Sequence, residues 1–94
     1  MQWRRRRLER SIMRVTDRIE RVEAELEVLR AQAGQLAADA DDAAVTAAVR
    51  PGGPTSREAD RATAANDNHR RLLDEHRATL ADLRRTRDDL LDQL

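Results

Sequence analysis

The chain has 94 residues with 18 basic and 18 acidic side chains, so its net charge at pH 7 is zero. It contains one aromatic residue and no cysteine, and 38% of its residues are charged. These numbers limit it to at most one domain, exclude disulfides and favour long solvated helices over a compact globule. Alanine, arginine and aspartate are abundant and lysine is absent, a composition typical of a GC-rich bacterial genome. High charge is also typical of disordered chains, but disorder does not produce heptads in phase.

The first seven residues form a basic N-terminal end whose candidate contact residues are Trp3, Arg4, Arg5, Arg6 and Arg7. Arginines neutralise phosphates and an indole stacks on bases, so one interpretation is contact with nucleic acid or an anionic membrane surface. The other is a solubilising end that neutralises the acidic C-terminal turn, which the zero net charge favours. Charged residues directly after it exclude a signal-peptide core, no apolar run reaches the length of a membrane span, and we expect a cytoplasmic protein.

Helix one is predicted over residues 8–50 from small or apolar residues spaced alternately four and three apart. This spacing is typical of a coiled-coil seam. The seam positions are Leu8, Ile12, Val15, Ile19, Val22, Leu26, Leu29, Ala33, Leu36, Ala40, Ala43 and Ala47. A second stripe gives the helix another face to cover: Ala24, Val28, Ala31, Ala38, Val45 and Val49. The segment 37–49 is rich in Ala and Asp, and whether it stays helical is left open.

A turn is predicted over residues 51–55, where the sequence Pro51-Gly52-Gly53-Pro54 interrupts the helical pattern. Thr55-Ser56-Arg57-Glu58 resembles a capping box, in which Thr55 is the N-cap and Glu58 reaches back to it. A second helix is therefore predicted over 56–94. Residues 8–94 would form a single hairpin domain.

Helix two repeats the same spacing, but its seam includes polar residues. The positions are Ala59, Ala62, Asn66, His69, Leu73, His76, Leu80, Leu83, Arg87, Leu90 and Leu94. Polar residues inside a seam commonly set its register, and we assign that role to Asn66, His69, His76 and Arg87. Bundle metal sites use Glu-x-x-His, whereas Asn66 and Leu73 precede the two histidines by three residues, so no metal site is expected.

A short connection makes the two helices antiparallel, so paired residue numbers have a constant sum. A sum near 109 sets large side chains against large ones and places His76 against Ala33 and His69 against Ala40. A sum near 102 instead sets Leu26 against His76. We predict the first register.

Charge also favours a hairpin, because the N-terminal part of helix one is basic and the end of helix two is acidic. Folding back would place Asp88, Asp89 and Asp92 beside Arg14, Arg18 and Arg21. The predicted fold class is all-α, a two-helix antiparallel coiled-coil hairpin. Because two helices alone leave their seam partly exposed to solvent, we expect the hairpin to dimerise into a four-helix bundle.

The sequence contains no nucleophile–base pair, phosphate-binding loop or paired carboxylates in a plausible cleft. We therefore expect no catalysis, no cofactor and no small-molecule substrate. The predicted function is a coiled-coil interaction or scaffold module of a bacterial protein assembly. Its expected partners are a second copy and another protein, with nucleic acid as a less favoured alternative.

Acidic residues near the predicted hairpin tip form a second candidate site: Asp39, Asp41, Asp42, Glu58 and Asp60. The segment Glu58-Ala59-Asp60-Arg61-Ala62-Thr63 resembles the tip of DksA/TraR-type factors. Asp60 and Ala62 match the second half of that family's Asp-x-x-Asp-x-Ala pattern, whereas Arg57 stands where its first Asp falls. The family's four-Cys zinc module has no counterpart. The resemblance implies a hairpin that enters the secondary channel of RNA polymerase, and a transcription factor is thus the alternative function.

Overall fold

The computed structural model describes residues 2–94 and consists of two long helices, α1 (Gln2–Val49) and α2 (Gly53–Asp92). No strand occurs among these residues, and the predicted all-α helical hairpin is confirmed. The Ala- and Asp-rich segment 37–49 is helical up to Val49. Neither helix offers a stretch apolar and long enough to cross a bilayer within the described residues.

Helix α1 begins six residues before the predicted position 8, at Gln2. Arginine is a good helix former, and side chains four residues apart lie on one face. Arg5 pairs with Glu9 at 3.3 Å, and the guanidinium of Arg7 lies 4.8 Å from the ring centroid of Trp3. These local pairs support the helix at the basic end. Met1 lies outside the described residues.

The turn is shorter than predicted, because α2 begins at Gly53 rather than at residue 56. Gly52 and Gly53 have φ angles of 91° and 62°, in the left-handed region that residues with a Cβ rarely adopt. The two glycines therefore reverse the chain in very few residues. Pro54 then falls in the first turn of α2, where its missing N–H removes no helical hydrogen bond.

The predicted capping box is wrong, since Thr55 lies inside α2 and is not its N-cap. The Thr55 hydroxyl lies 2.6 Å from the carbonyl oxygen of Arg50 and 3.2 Å from that of Gly52, both hydrogen-bond acceptors. The N–H of Gly52 donates to Oγ of Ser56 at 3.0 Å. A hydroxyl at the start of α2 thus donates a hydrogen bond to a carbonyl oxygen at the end of α1, where carbonyl groups have no partner within the helix.

The described chain forms two compact units, residues 2–26 with 75–94 and residues 27–74. We call them the terminal unit and the turn unit. The predicted seam is confirmed in both, because every seam residue of α1 and all of those of α2 except Leu94 are buried or half-buried. Leu26, with 1% of its surface exposed, is the most deeply buried side chain.

The predicted register is wrong. In the terminal unit Nε2 of His76 lies 2.9 Å from Oε2 of Glu25, and in the turn unit Nε2 of His69 lies 2.6 Å from the carbonyl oxygen of Leu29. Both contacts fit the register with a sum near 102 rather than 109. The physical reason is the turn, since the chain reverses about Pro51 and residues equidistant from that point meet.

Candidate interaction surfaces

The basic end lies in the terminal unit, and its helical conformation spreads the arginines around α1. Trp3 is 60% exposed although Arg7 stacks on its ring. Arg4 and Arg5 line a shallow depression together with Leu8 of the seam and Gln93 after α2. The end therefore combines an exposed indole with exposed guanidinium groups, the chemistry that stacks on bases and binds phosphates.

The expected contacts between the basic part of α1 and Asp88, Asp89 and Asp92 do not form among residues 2–94. Arg14 instead donates to Oγ of Ser11 at 3.2 Å, and Oδ1 of Asp88 lies 3.9 Å from Nε of Arg87. Exposed side chains gain little from pairing, so these charges remain in water.

An ion pair and a histidine–carboxylate contact join α1 and α2 at the edge of the seam in the terminal unit. The guanidinium of Arg84 lies 3.5 Å from Oε2 of Glu23, and the imidazole of His76 contacts Glu25. His76 has 23% of its side chain exposed, so its ring covers the seam while its nitrogen reaches the rim. Arg87 is also half-buried on the seam of this unit.

His69 is the buried polar residue of the turn unit, with 8% of its surface exposed. The carbonyl oxygen of Leu29 can only accept a hydrogen bond, so Nε2 of His69 carries the proton and donates. Asn66, one turn earlier, is half-buried on the same seam. No group of three or more metal-ligating side chains comes together within the described part of the chain.

The five acidic residues of the second candidate site are all exposed, and they lie on the helices rather than in the turn. Asp39 accepts a hydrogen bond from Nε2 of Gln35 at 2.8 Å. The carbonyl oxygen of Asp42 accepts one from Thr46 at 3.0 Å. Arg50 precedes the turn directly, and the adjacent Arg57 and Glu58 are exposed near the start of α2. Asp39, Asp41 and Asp42 lie at least seven residues before the end of α1 at Val49.

Large apolar side chains remain on the surface of both units. Those more than a third exposed are Trp3, Met13, Val28, Val45, Val49, Leu72, Leu91 and Leu94. The predicted second stripe of α1 accounts for the three valines. Sequence reasoning did not identify Met13, Leu72 and Leu91 as exposed. Their positions outside both stripes could have indicated it.

A search of protein-family models, curated proteins and solved structures found no match to this chain.

Proposed function

We propose that the protein is a non-enzymatic coiled-coil interaction module that associates with a second copy of itself to form a four-helix bundle. The observation that carries this proposal is the division of its apolar residues. The heptad seam is occupied within the hairpin, whereas Val28, Val45 and Val49 lie on α1 with more than half of their surface exposed. A second layer of helices would remove this surface from water.

The hairpin alone buries few side chains. Six hydrophobic residues are buried in the described part of the chain, and one of them is the small Ala40. Fully burying a large aliphatic side chain contributes roughly 1.5–3 kcal/mol. Chains of this size bury a smaller fraction of their surface on folding than larger domains do, and their stability is correspondingly lower. Association would add burial without requiring any new secondary structure.

Mass measurement across a concentration series tests the proposal. Light scattering coupled to size exclusion should give twice the chain mass of 10.7 kDa at micromolar concentration. The midpoint of thermal unfolding, followed by circular dichroism at 222 nm, should rise with concentration because association stabilises the folded state by mass action. A monomer with a concentration-independent midpoint up to several hundred micromolar would overturn the proposal.

Binding of nucleic acid by the basic end is the second candidate, and the exposed Trp3 beside the helical Arg cluster favours it. Binding to single-stranded DNA should weaken steeply with salt if arginines displace counterions from phosphates. Replacing Arg4–Arg7 by Gln should abolish it. The matched control replaces Arg57, Arg61, Arg70 and Arg71 by Gln, which removes the same charge from exposed positions of α2. Equal loss in both variants would exclude a specific role for the basic end.

A transcription factor that acts through its acidic residues is the remaining alternative, motivated by the resemblance around Asp60. Asp60 is exposed on α2, so its carboxylate is accessible to a partner. Retention of RNA polymerase on the immobilised protein should then be lost in Asp60→Asn and kept in Asp67→Asn, a control at another exposed position of α2. Absence of retention by the unmodified protein would exclude this function.

A further inference from the structure

The exposed face of α1 in the turn unit carries its own regular pattern. Each of its residues stands two positions after a seam residue, which is about 200° around a helix, so this face points away from α2. We call it the outer stripe, and all of its residues are exposed: Val28, Ala31, Gln35, Ala38, Asp42, Val45 and Val49. Their spacing is alternately three and four, as in a seam that packs against another helix.

We propose that the outer stripe is the self-association surface and that it pairs antiparallel with the outer stripe of a second copy. This inference rests on the proposed function and specifies its surface. Two outer stripes that run in opposite directions match each other when the centre of the pairing lies between Gln35 and Ala38. Val28 then meets Val45 of the second copy, and Val45 meets Val28, so the two valine layers lie on either side of the centre.

The polar residues of the outer stripe are also accommodated in this register. Asp42 meets Ala31 of the second copy and Gln35 meets Ala38, so each polar side chain faces a methyl group small enough to leave it access to water. The amide of Gln35 comes within one helical turn of Asp42 of the second copy, an acceptor for its N–H groups. The carboxylate of the stripe therefore faces no other carboxylate.

A parallel pairing would place like charges together. It would set Asp42 against Asp42 and bring the acidic segment 39–42 of both copies to one level, and closely opposed like charges destabilise an interface. The antiparallel register separates these segments by roughly 12 Å along the axis, at 1.5 Å per residue. Charge thus selects the direction, while the valines supply the apolar contact.

The dimer would place the two α1 helices in contact at the turn unit, with each α2 on the far side of its own α1. This follows because the outer stripe and the seam lie on nearly opposite faces of α1. The four helices of the turn units would then lie side by side with the two α1 helices in the middle, so this packing keeps the proposed self-association and replaces the single core of a four-helix bundle. It also leaves the exposed faces of α2 available to another protein.

Cysteine cross-linking tests both the surface and the direction, because the chain has no cysteine of its own. With a short bis-maleimide, Ala38→Cys should cross-link to itself, since the two copies of this position lie within about one helical turn. Val28→Cys and Val45→Cys should not cross-link alone, because each is roughly 25 Å from its own copy along the axis. A mixture of those two variants should cross-link. Ala64→Cys, at an exposed site on α2, is the control and should remain uncross-linked.

A charge substitution provides the second measurement. Val45→Glu should weaken the dimer at least tenfold while the monomer keeps its helical circular dichroism, because Val45 is 64% exposed and lies outside the seam. Ala64→Glu adds the same charge to α2 and should leave the dissociation constant unchanged.

The outcomes separate this inference from the proposed function. A dimer that ignores Val45→Glu and gives no cross-link at Ala38 overturns the outer stripe but leaves self-association standing. Self-cross-linking of Val28→Cys overturns the antiparallel direction. A monomer under all conditions overturns both, and specific binding of a cationic helix to the monomer would identify a different occupant of the face.

Discussion

The terminal unit and the turn unit share one heptad pattern but are held together differently. The α1 seam of the terminal unit consists of six branched aliphatic residues, from Leu8 to Leu26. That of the turn unit consists of two leucines and four alanines, opposite a helix that contributes Asn66 and the buried His69. The first unit depends on apolar burial, whereas the second combines one buried leucine, Leu73, with small residues, a histidine hydrogen bond and the bonds around the turn.

Truncation of a buried leucine should have the largest effect and would sharpen this contrast. Leu26→Ala should lower the free energy of unfolding by about 2–5 kcal/mol, because it removes packed methyl groups and leaves a cavity. Urea denaturation followed by circular dichroism measures the change. Met13→Ala is the control in the same unit, since Met13 is 67% exposed and should change stability by less than about 0.5 kcal/mol. Equal effects would show that burial does not hold the terminal unit.

The two seam histidines allow the units to be compared directly. His69→Ala should cost about 1–3 kcal/mol, because it removes a buried ring and its bond to the carbonyl of Leu29. His76→Ala should lower the free energy of unfolding by less, because its partner Glu25 is 59% exposed and the carboxylate of Glu25 stays in water. Urea midpoints of both variants at the same pH give the comparison. A larger loss for His76→Ala would contradict the role given to His69 in the turn unit.

Glycine substitutions should have opposite signs at two places in the turn unit. Gly52→Ala should destabilise by about 1–2 kcal/mol, because a Cβ is strained at a φ of 91°. Gly34→Ala should stabilise by up to about 1 kcal/mol, because Gly34 is in mid-helix and a Cβ there would meet no atom within 4 Å. Thermal unfolding of the two variants should shift in opposite directions. A stabilised Gly52→Ala would show that the turn does not need its left-handed backbone.

The sequence predicted the seam because the alternating spacing determines which residues share a helix face. It predicted the wrong register because matching leucine with leucine ignores the turn, whose position decides which residues lie opposite. Seam leucines can also pack against a histidine whose nitrogen reaches a partner outside the seam, as His76 does with Glu25. The spacing of residues along the sequence does not specify such a contact.

The sequence identifies which residues could form the candidate surfaces, but not where those residues lie in the structure. The basic end and the acidic residues are exposed as solvated charges should be, but their placement depended on details of local structure. The acidic residues lie on the two helices on either side of the turn, because Gly52 and Gly53 confine the reversal of the chain to very few residues. The helix at residues 2–7 was missed because a run of arginines gives no apolar periodicity.

The smallest expected effect concerns the ion pair between Arg84 and Glu23 in the terminal unit. Both side chains are about half exposed, so water screens their attraction and ordering two long side chains offsets part of it. A double-mutant cycle with Arg84→Gln and Glu23→Gln should give a coupling free energy of about 0.2–0.5 kcal/mol that decreases with added salt. A coupling above about 1.5 kcal/mol would mean that the pair, and not only the leucines, holds the terminal unit together, and the contrast between the two units would have to be redrawn.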